Sequence, residues 1–350
     1  MSEIKFRMTA GTNVGSVRTN NEDNFIVNEN LSNKEWYVPE CSSTEFDLGE
    51  NGAILVVADG MGGMNAGEVA SAIAIDTIKD LFTMDSFSDI VSSTAKISAF
   101  MKDAVIEADA RIKAKVKEDS STSGMGTTIV IAWILGDIAH IVWCGDSRAY
   151  LFNPNSGLSR FTKDHSYVQD LVDAGKLDPE LAFDHPNSNI ITRSLGDSSS
   201  KARPDYLSKK LNQDDILLLC SDGLSGLCRD EEIAQVLSCS ESLEQCRADL
   251  ISAALEAGGY DNVTVALLQI SSMDIDEDTN IVETSNDLNM AKQRKRKSIW
   301  ITATIIVSIL LIGLGVWLYY SGYWVVIWEK ICLLAENVAS YVNSLFQTKY

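Results

Sequence analysis

Histidine is scarce in this 350-residue chain, with three copies at positions 140, 165 and 185. A zinc site built on imidazoles and a Ser-His-Asp triad are both poorly supported by so few. Cysteine offers no substitute. Seven thiols, at 41, 144, 220, 228, 239, 246 and 332, form no CxxC pair, and several lie inside apolar runs such as IVWC and LLLC. They read as buried reduced thiols, not as a disulfide framework. Basic residues are also short: 29 Lys and Arg face 49 Asp and Glu, a net charge of −20, and residues 1–290 alone carry 22 against 47, or −25. A surface this acidic repels phosphate backbones and argues against a nucleic-acid partner, while concentrating divalent cations. The opening MSEIKFRMTAG has no apolar stretch, so no secretory signal is expected there.

Residues 1–270 alternate β-branched runs with helical patterns. The spacing predicts strands over Ala53–Ala58, Thr128–Leu135, Ile138–Cys144, Ile216–Cys220 and Val263–Ile270, and helices over Gly67–Phe82, Ile90–Lys117 and Leu243–Ala257. Gly136-Asp137 between two strands reads as a two-residue hairpin turn, which favours antiparallel pairing and an α+β domain. The expected domain covers 1–271, followed by a polar linker over 272–297 that ends in KQRKRK. From Ser298 to Trp328 there are 31 residues without a charge, enough for a transmembrane helix at 299–320. Five basic residues precede that run and two, Lys330 and Lys349, follow it, so the domain is expected on the cytoplasmic side of a cell membrane. The tail, 321–350, repeats apolar residues at helical spacing and reads as an interfacial amphipathic segment.

Aspartates then recur where apolar runs stop. ILVVADGMGG carries Asp59-Gly60, IVWCGDSRAY carries Asp146, and ILLLCSDGLSG carries Asp222-Gly223. In GYDNVTVALLQI, Asp261 precedes the run, as Glu22 and Asp23 do in RTNNEDNF. Singly, Asp-Gly after a strand is ordinary turn chemistry. Five such places in one domain could converge on one sheet edge, where anions would raise one another's pKa unless hard cations such as Mg²⁺ or Mn²⁺ stood between them.

Eight segments in order resemble the PP2C-type (PPM) family of metal-dependent serine/threonine phosphatases, its bacterial branch most closely. They are R-x-x-N-E-D at Arg18–Asp23, V-A-D-G-M-G-G at Val57–Gly63, S-G-M-G-T-T at Ser123–Thr128, C-G-D-S-R at Cys144–Arg148, T-K-D-H-S at Thr162–Ser166, R-S-L-G at Arg193–Gly196, C-S-D-G-L at Cys220–Leu224 and D-N-x-T at Asp261–Thr264. The resemblance implies a β-sandwich of two antiparallel sheets flanked by α-helices, with two Mn²⁺ or Mg²⁺ ions at one end and a third in bacterial relatives. It implies that Asp59 bridges both ions, that the Gly60 carbonyl binds one, and that Asp222 and Asp261 complete the other. It also implies that Glu22 and Asp23 act on the second ion largely through its waters, that Asp146 shares a third, more weakly held ion with Asp222, and that Arg18 grips the substrate phosphate. The ions activate a water that attacks phosphorus. Phosphorylated proteins, among them serine/threonine kinases and their substrates, are the implied partners, and a monomer is expected. A PP2C-shaped binding module and a hydrolase of small phosphoesters are the rival readings. Met61 departs from the His of many eukaryotic members and cannot donate a proton to the leaving group. His165 reads as structural, and Ser166–Arg203 as a variable flap beside the site.

Overall fold

The run Ala53–Ala58 is apolar at every position because both of its faces are covered. Ala53, Leu55 and Val57 enter one buried cluster and Ile54, Val56 and Ala58 another, following the two-residue period of a strand. This double coverage generates a layered domain. The computed structural model describes residues 4–33, 36, 44–62, 66–83 and 87–273, with 330, 333 and 334 beyond them. The chain divides into two units, Met1–Ile275 and Asp276–Tyr350.

The first unit opens with β1 (Ile4–Asn13), β2 (Asp23–Asn28), β3 (Phe46–Asp47) and β4 (Ala53–Met61). Helices α1 (Ala66–Leu81) and α2 (Thr94–Glu118) follow, then β5 (Gly126–Thr127), β6 (Ile129–Leu135) and β7 (Ile138–Cys144). Next come β8 (Arg148–Asn153), β9 (Gly157–Arg160), α3 (Tyr167–Asp173), β10 (Asp205–Lys210) and β11 (Ile216–Cys220). The last elements are α4 (Asp222–Ser225), α5 (Asp230–Cys239), α6 (Leu243–Glu256) and β12 (Val263–Met273). One sheet has the order β3-β1-β12-β11-β8-β9, the other β10-β7-β6-β4-β2, with β5 paired to β4.

Between the sheets lies a core that includes Phe6, Met8, Leu55, Val130, Trp143, Leu219 and Leu268. The outer face of the β4 sheet packs on α1 and α2 through Ala70, Ile78, Met101 and Val105, with Trp133 among them. On the far side Leu218, Val265 and Leu267 meet Ile233, Leu237 and Leu250 of α5 and α6. The result is the expected α-β-β-α sandwich with antiparallel pairing throughout.

Each expected strand is present, and Gly136, in the positive-φ region at +54°, makes the β6–β7 turn. Several boundaries differ, three of them for specific reasons. The expected helix over Ile90–Lys117 breaks because Ser93 is extended and its side chain accepts from the Lys96 N–H, leaving a 3-10 turn at Ile90–Ser92 before α2. Thr128 lies outside β6, its N–H being spent on the Asp59 carbonyl. β12 runs to Met273, past the expected domain end at 271, to pair with Ile4. Among the described residues no helix is long and apolar enough to cross a membrane. The helix expected at 299–320 lies outside the described residues.

Leu219 is fully buried between the sheets, so Leu219→Ala should cost about 2–5 kcal/mol, read as a lower urea midpoint with an unchanged slope.

Candidate metal centre

Register places the acidic residues. Asp23 of β2 stands opposite Asp59 of β4, so the two carboxylates leave neighbouring strands at one level. In the other sheet Cys220 is opposite both Arg148 and Val265, which sets Asp222, just past β11, and Asp261, just before β12, at a common edge. Asp146 lies in the short link that carries the chain from β7 in one sheet to β8 in the other. The five aspartates therefore reach the same end of the sandwich.

Crowding of these groups shifts their titration. Burial pushes the Asp59 carboxyl well above the usual range, and Asp222, Asp23 and Asp146 push it further. Burial raises Asp23 to about 7, against hydrogen bonds from Thr264 Oγ1 (2.6 Å) and Ser221 Oγ (2.7 Å) that favour its charged form. Asp146 is raised well above its ordinary value by burial and then by Asp222. Burial raises Asp222 and Glu22 as well, and Asp261 adds to both.

Arg18, expected on the substrate phosphate, is held in an ion pair at the rim. Its Nη2 donates to Asp261 Oδ2 at 2.7 Å, and the side chain is 51% exposed. That pair uses one edge of the guanidinium. A half-exposed guanidinium has further N–H groups with which to bind a phosphate.

The donor set suits hard divalent cations: carboxylates in water-poor surroundings, with Asp146 Oδ1 buried and without a hydrogen-bond partner. They do not form a finished cage. Among the described residues no three Asp, Glu, His or Cys side chains stand at ligand spacing, because Asp261 turns to Arg18 and Asp23 to two hydroxyls. Gly60 has a steric reason to be glycine: a Cβ there would lie 2.3 Å from the Gly67 carbonyl and 2.5 Å from that of Glu22.

Several supporting residues sat inside the quoted motifs without a role. The Asp59 carbonyl accepts from Thr127 Oγ1 (2.9 Å) and from the Thr128 N–H (2.8 Å), while its N–H donates to Thr128 Oγ1 (3.2 Å). Asn262 accepts from the Glu22 N–H at 2.8 Å and donates to the Val14 and Asn20 carbonyls at 2.9 Å, tying the Arg18 loop to β12. Arg148 forks onto Asp164 at 3.0 and 2.7 Å beneath the rim. No spacing argument finds these, since each acts through a contact made across the fold.

His165 is buried, and burial lowers its pKa. The expected flap begins there, with α3 and a 3-10 turn at Pro179–Leu181. A cavity of about 980 Å³ separates it from α4 and α5 and opens onto Asp146, Asp222 and Asp261.

A carboxyl whose pKa is raised by folding stabilises the fold below its unfolded pKa and loses that contribution as pH rises through the folded value. For Asp23 the window runs from 3.8 to about 7 and corresponds to roughly 4 kcal/mol. Protein stripped of cations with EDTA should therefore melt lower at pH 8 than at pH 5. Mn²⁺ should restore the loss, and Asp59→Asn should flatten the dependence in thermal unfolding.

Comparison with known proteins agrees with this geometry. The family model described as Protein phosphatase 2C matches residues 9–263. The serine/threonine phosphatase stp of Listeria welshimeri is 33% identical over 262 residues, 75% of this chain and 95% of that protein. PstP of Mycobacterium tuberculosis is 34% identical over 77% of this chain and 46% of that longer protein. Among solved structures, the S. agalactiae serine/threonine phosphatase superposes with a TM-score of 0.63 at 32% identity, covering 76% of this chain and all of that one. The PstP catalytic domain in complex with two manganese ions gives 0.61 at 33%, covering 77% and 100%. The chain belongs to the protein phosphatase 2C family and is a metal-dependent serine/threonine protein phosphatase of its bacterial type.

Proposed function

We propose that this phosphatase hydrolyses phosphoserine and phosphothreonine in proteins at the cytoplasmic face of a membrane. The single observation that carries the chemistry is the meeting of four aspartates at one rim, Asp23 and Asp146 buried and Asp59 and Asp222 half-buried, where each carboxyl is pushed above its ordinary range. Two Mn²⁺ or Mg²⁺ ions held there would neutralise the carboxylates, lower the pKa of a water and polarise phosphorus. Asp59, Asp222, Asp261 and the Gly60 carbonyl would hold the ions, with Glu22 and Asp23 acting on their waters. Asp146, with its unpartnered oxygen, would serve a third with Asp222.

Arg18 orients the phosphate with the N–H groups that Asp261 leaves free. The leaving alkoxide needs a proton. Met61 has none, and His165 has both ring nitrogens within hydrogen-bond distance of Gly145 and Asp205, so a water beside Asp146 is the donor we assign. The binding-module reading lacks support because Asp59, Asp222 and Asp261 are all present and converge.

Manganese should switch on turnover of a phosphothreonine peptide. Asp59→Asn should lower that rate by more than the roughly 10–100-fold typical of outer-shell groups. A near-normal rate in this variant would contradict the reading, as would nucleotides outperforming the peptide.

The membrane assignment rests on the uncharged run Ser298–Trp328 and the basic KQRKRK before it. Kinases at that surface and their phosphorylated targets are the partners that fit, with the enzyme acting as a monomer. The full chain should sediment with membranes, and a chain truncated after Met290 should stay in the supernatant and keep its activity. A soluble full chain would overturn the anchor.

A further inference from the structure

Asp146 depends on how the residue before it is held. Gly145 has φ +126°, and a Cβ there would lie 2.4 Å from Thr128 Cβ, so the turn into Asp146 is steep and tightly confined. Both polar groups of Gly145 are bound by one residue. Its N–H donates to His165 Nδ1 at 3.1 Å, and its carbonyl accepts from the His165 N–H at 2.9 Å. Because Nδ1 accepts, the ring proton sits on Nε2, which donates to Asp205 Oδ2 at 3.1 Å. Arg193 Nη1 reaches the same oxygen at 3.4 Å and lies 3.2 Å from Nε2. The imidazole stacks on Trp143, with centroids 6.0 Å apart and planes at 16°. The His165 carbonyl in turn accepts from the Thr192 N–H at 2.8 Å, at the far base of the flap.

We propose that His165 is a positioning residue: its ring and backbone together clamp Gly145 and so aim the unpartnered carboxylate oxygen of Asp146 at the more weakly held cation. The proposal rests on the reading of Asp146 as a cation ligand. It assigns the histidine no proton transfer. Its function is to be a fixed acceptor locked in one tautomer by Asp205, with the flap base attached behind it. Supporting groups of this kind are worth about 10–100-fold in metal affinity.

The test compares His165→Ala, His165→Asn and His165→Gln by calorimetric Mn²⁺ titration of the full chain, alongside turnover of a phosphothreonine peptide. Asn places an amide oxygen where Nδ1 stands; Gln places it one methylene too far. His165→Ala and His165→Gln should weaken the lower-affinity class of Mn²⁺ sites at least tenfold and leave the tighter pair unchanged, while His165→Asn stays within about threefold of the parent. If His165→Ala does not fold, Asn against Gln carries the same contrast. Equal Mn²⁺ isotherms for Ala or Gln and the parent would overturn the proposal, as would Asn being as impaired as Gln. Asp146→Ala separates the two levels. If it keeps the weaker sites, the reading of Asp146 fails and this proposal with it; if it removes them while His165→Ala does not, only the role of His165 fails.

Discussion

Crowding of like charge at the end of a dry sandwich is the constraint from which this structure follows. Carboxylates on the rim of a core made of Val, Ile and Leu pay twice, once for leaving water and once for facing each other. Both contributions are present at Asp59, where burial outranks Asp222, Asp23 and Asp146 as the cause of its raised pKa. A protein that only needed stability would have placed turns of Asn or Gly there. The positions are instead pinned: Asp59 through Thr127 and Thr128, Asp23 through Ser221 and Thr264, and Glu22 through Asn262. Each hydroxyl or amide fixes an anion that the fold alone would repel.

The sheet topology explains why so few residues do this. Neighbouring antiparallel strands bring distant segments to one level, so Asp23 meets Asp59 and Asp222 nears Asp261 although their separations in sequence are large. The link between the sheets, Gly145–Ser147, adds Asp146 from a third direction. Helix packing touches the site chiefly near the start of α1, where Ser71 donates to the Glu22 carbonyl. The helices cover the two outer faces and, through Gly67 at the start of α1, approach Glu22 closely enough to forbid a side chain at that glycine.

Much of this was legible in the residues. Strands buried on both faces announce themselves as unbroken apolar runs, and the aspartates that end them were visible for the same reason. The hairpin turn at Gly136 followed from local chemistry alone. Other features were opaque. β1, with its mixed burial, and β10, exposed along much of its length, lack a clean period and were not foreseen. Ser93 divided a continuous helical pattern because a single side-chain cap outweighed propensity. The pairing of Arg18 with Asp261 depends on Asn262 drawing two loops together, which no linear pattern encodes. The role of His165 was hidden too: a lone histidine in T-K-D-H-S shows neither its buried neighbour Trp143 nor the glycine it holds.

The most direct measurement is anomalous diffraction at the manganese edge from crystals grown with Mn²⁺. Two peaks enclosed by Asp59, Asp222, Asp261 and the Gly60 carbonyl are the predicted result. An empty rim, with those side chains directed to separate places, would contradict the account.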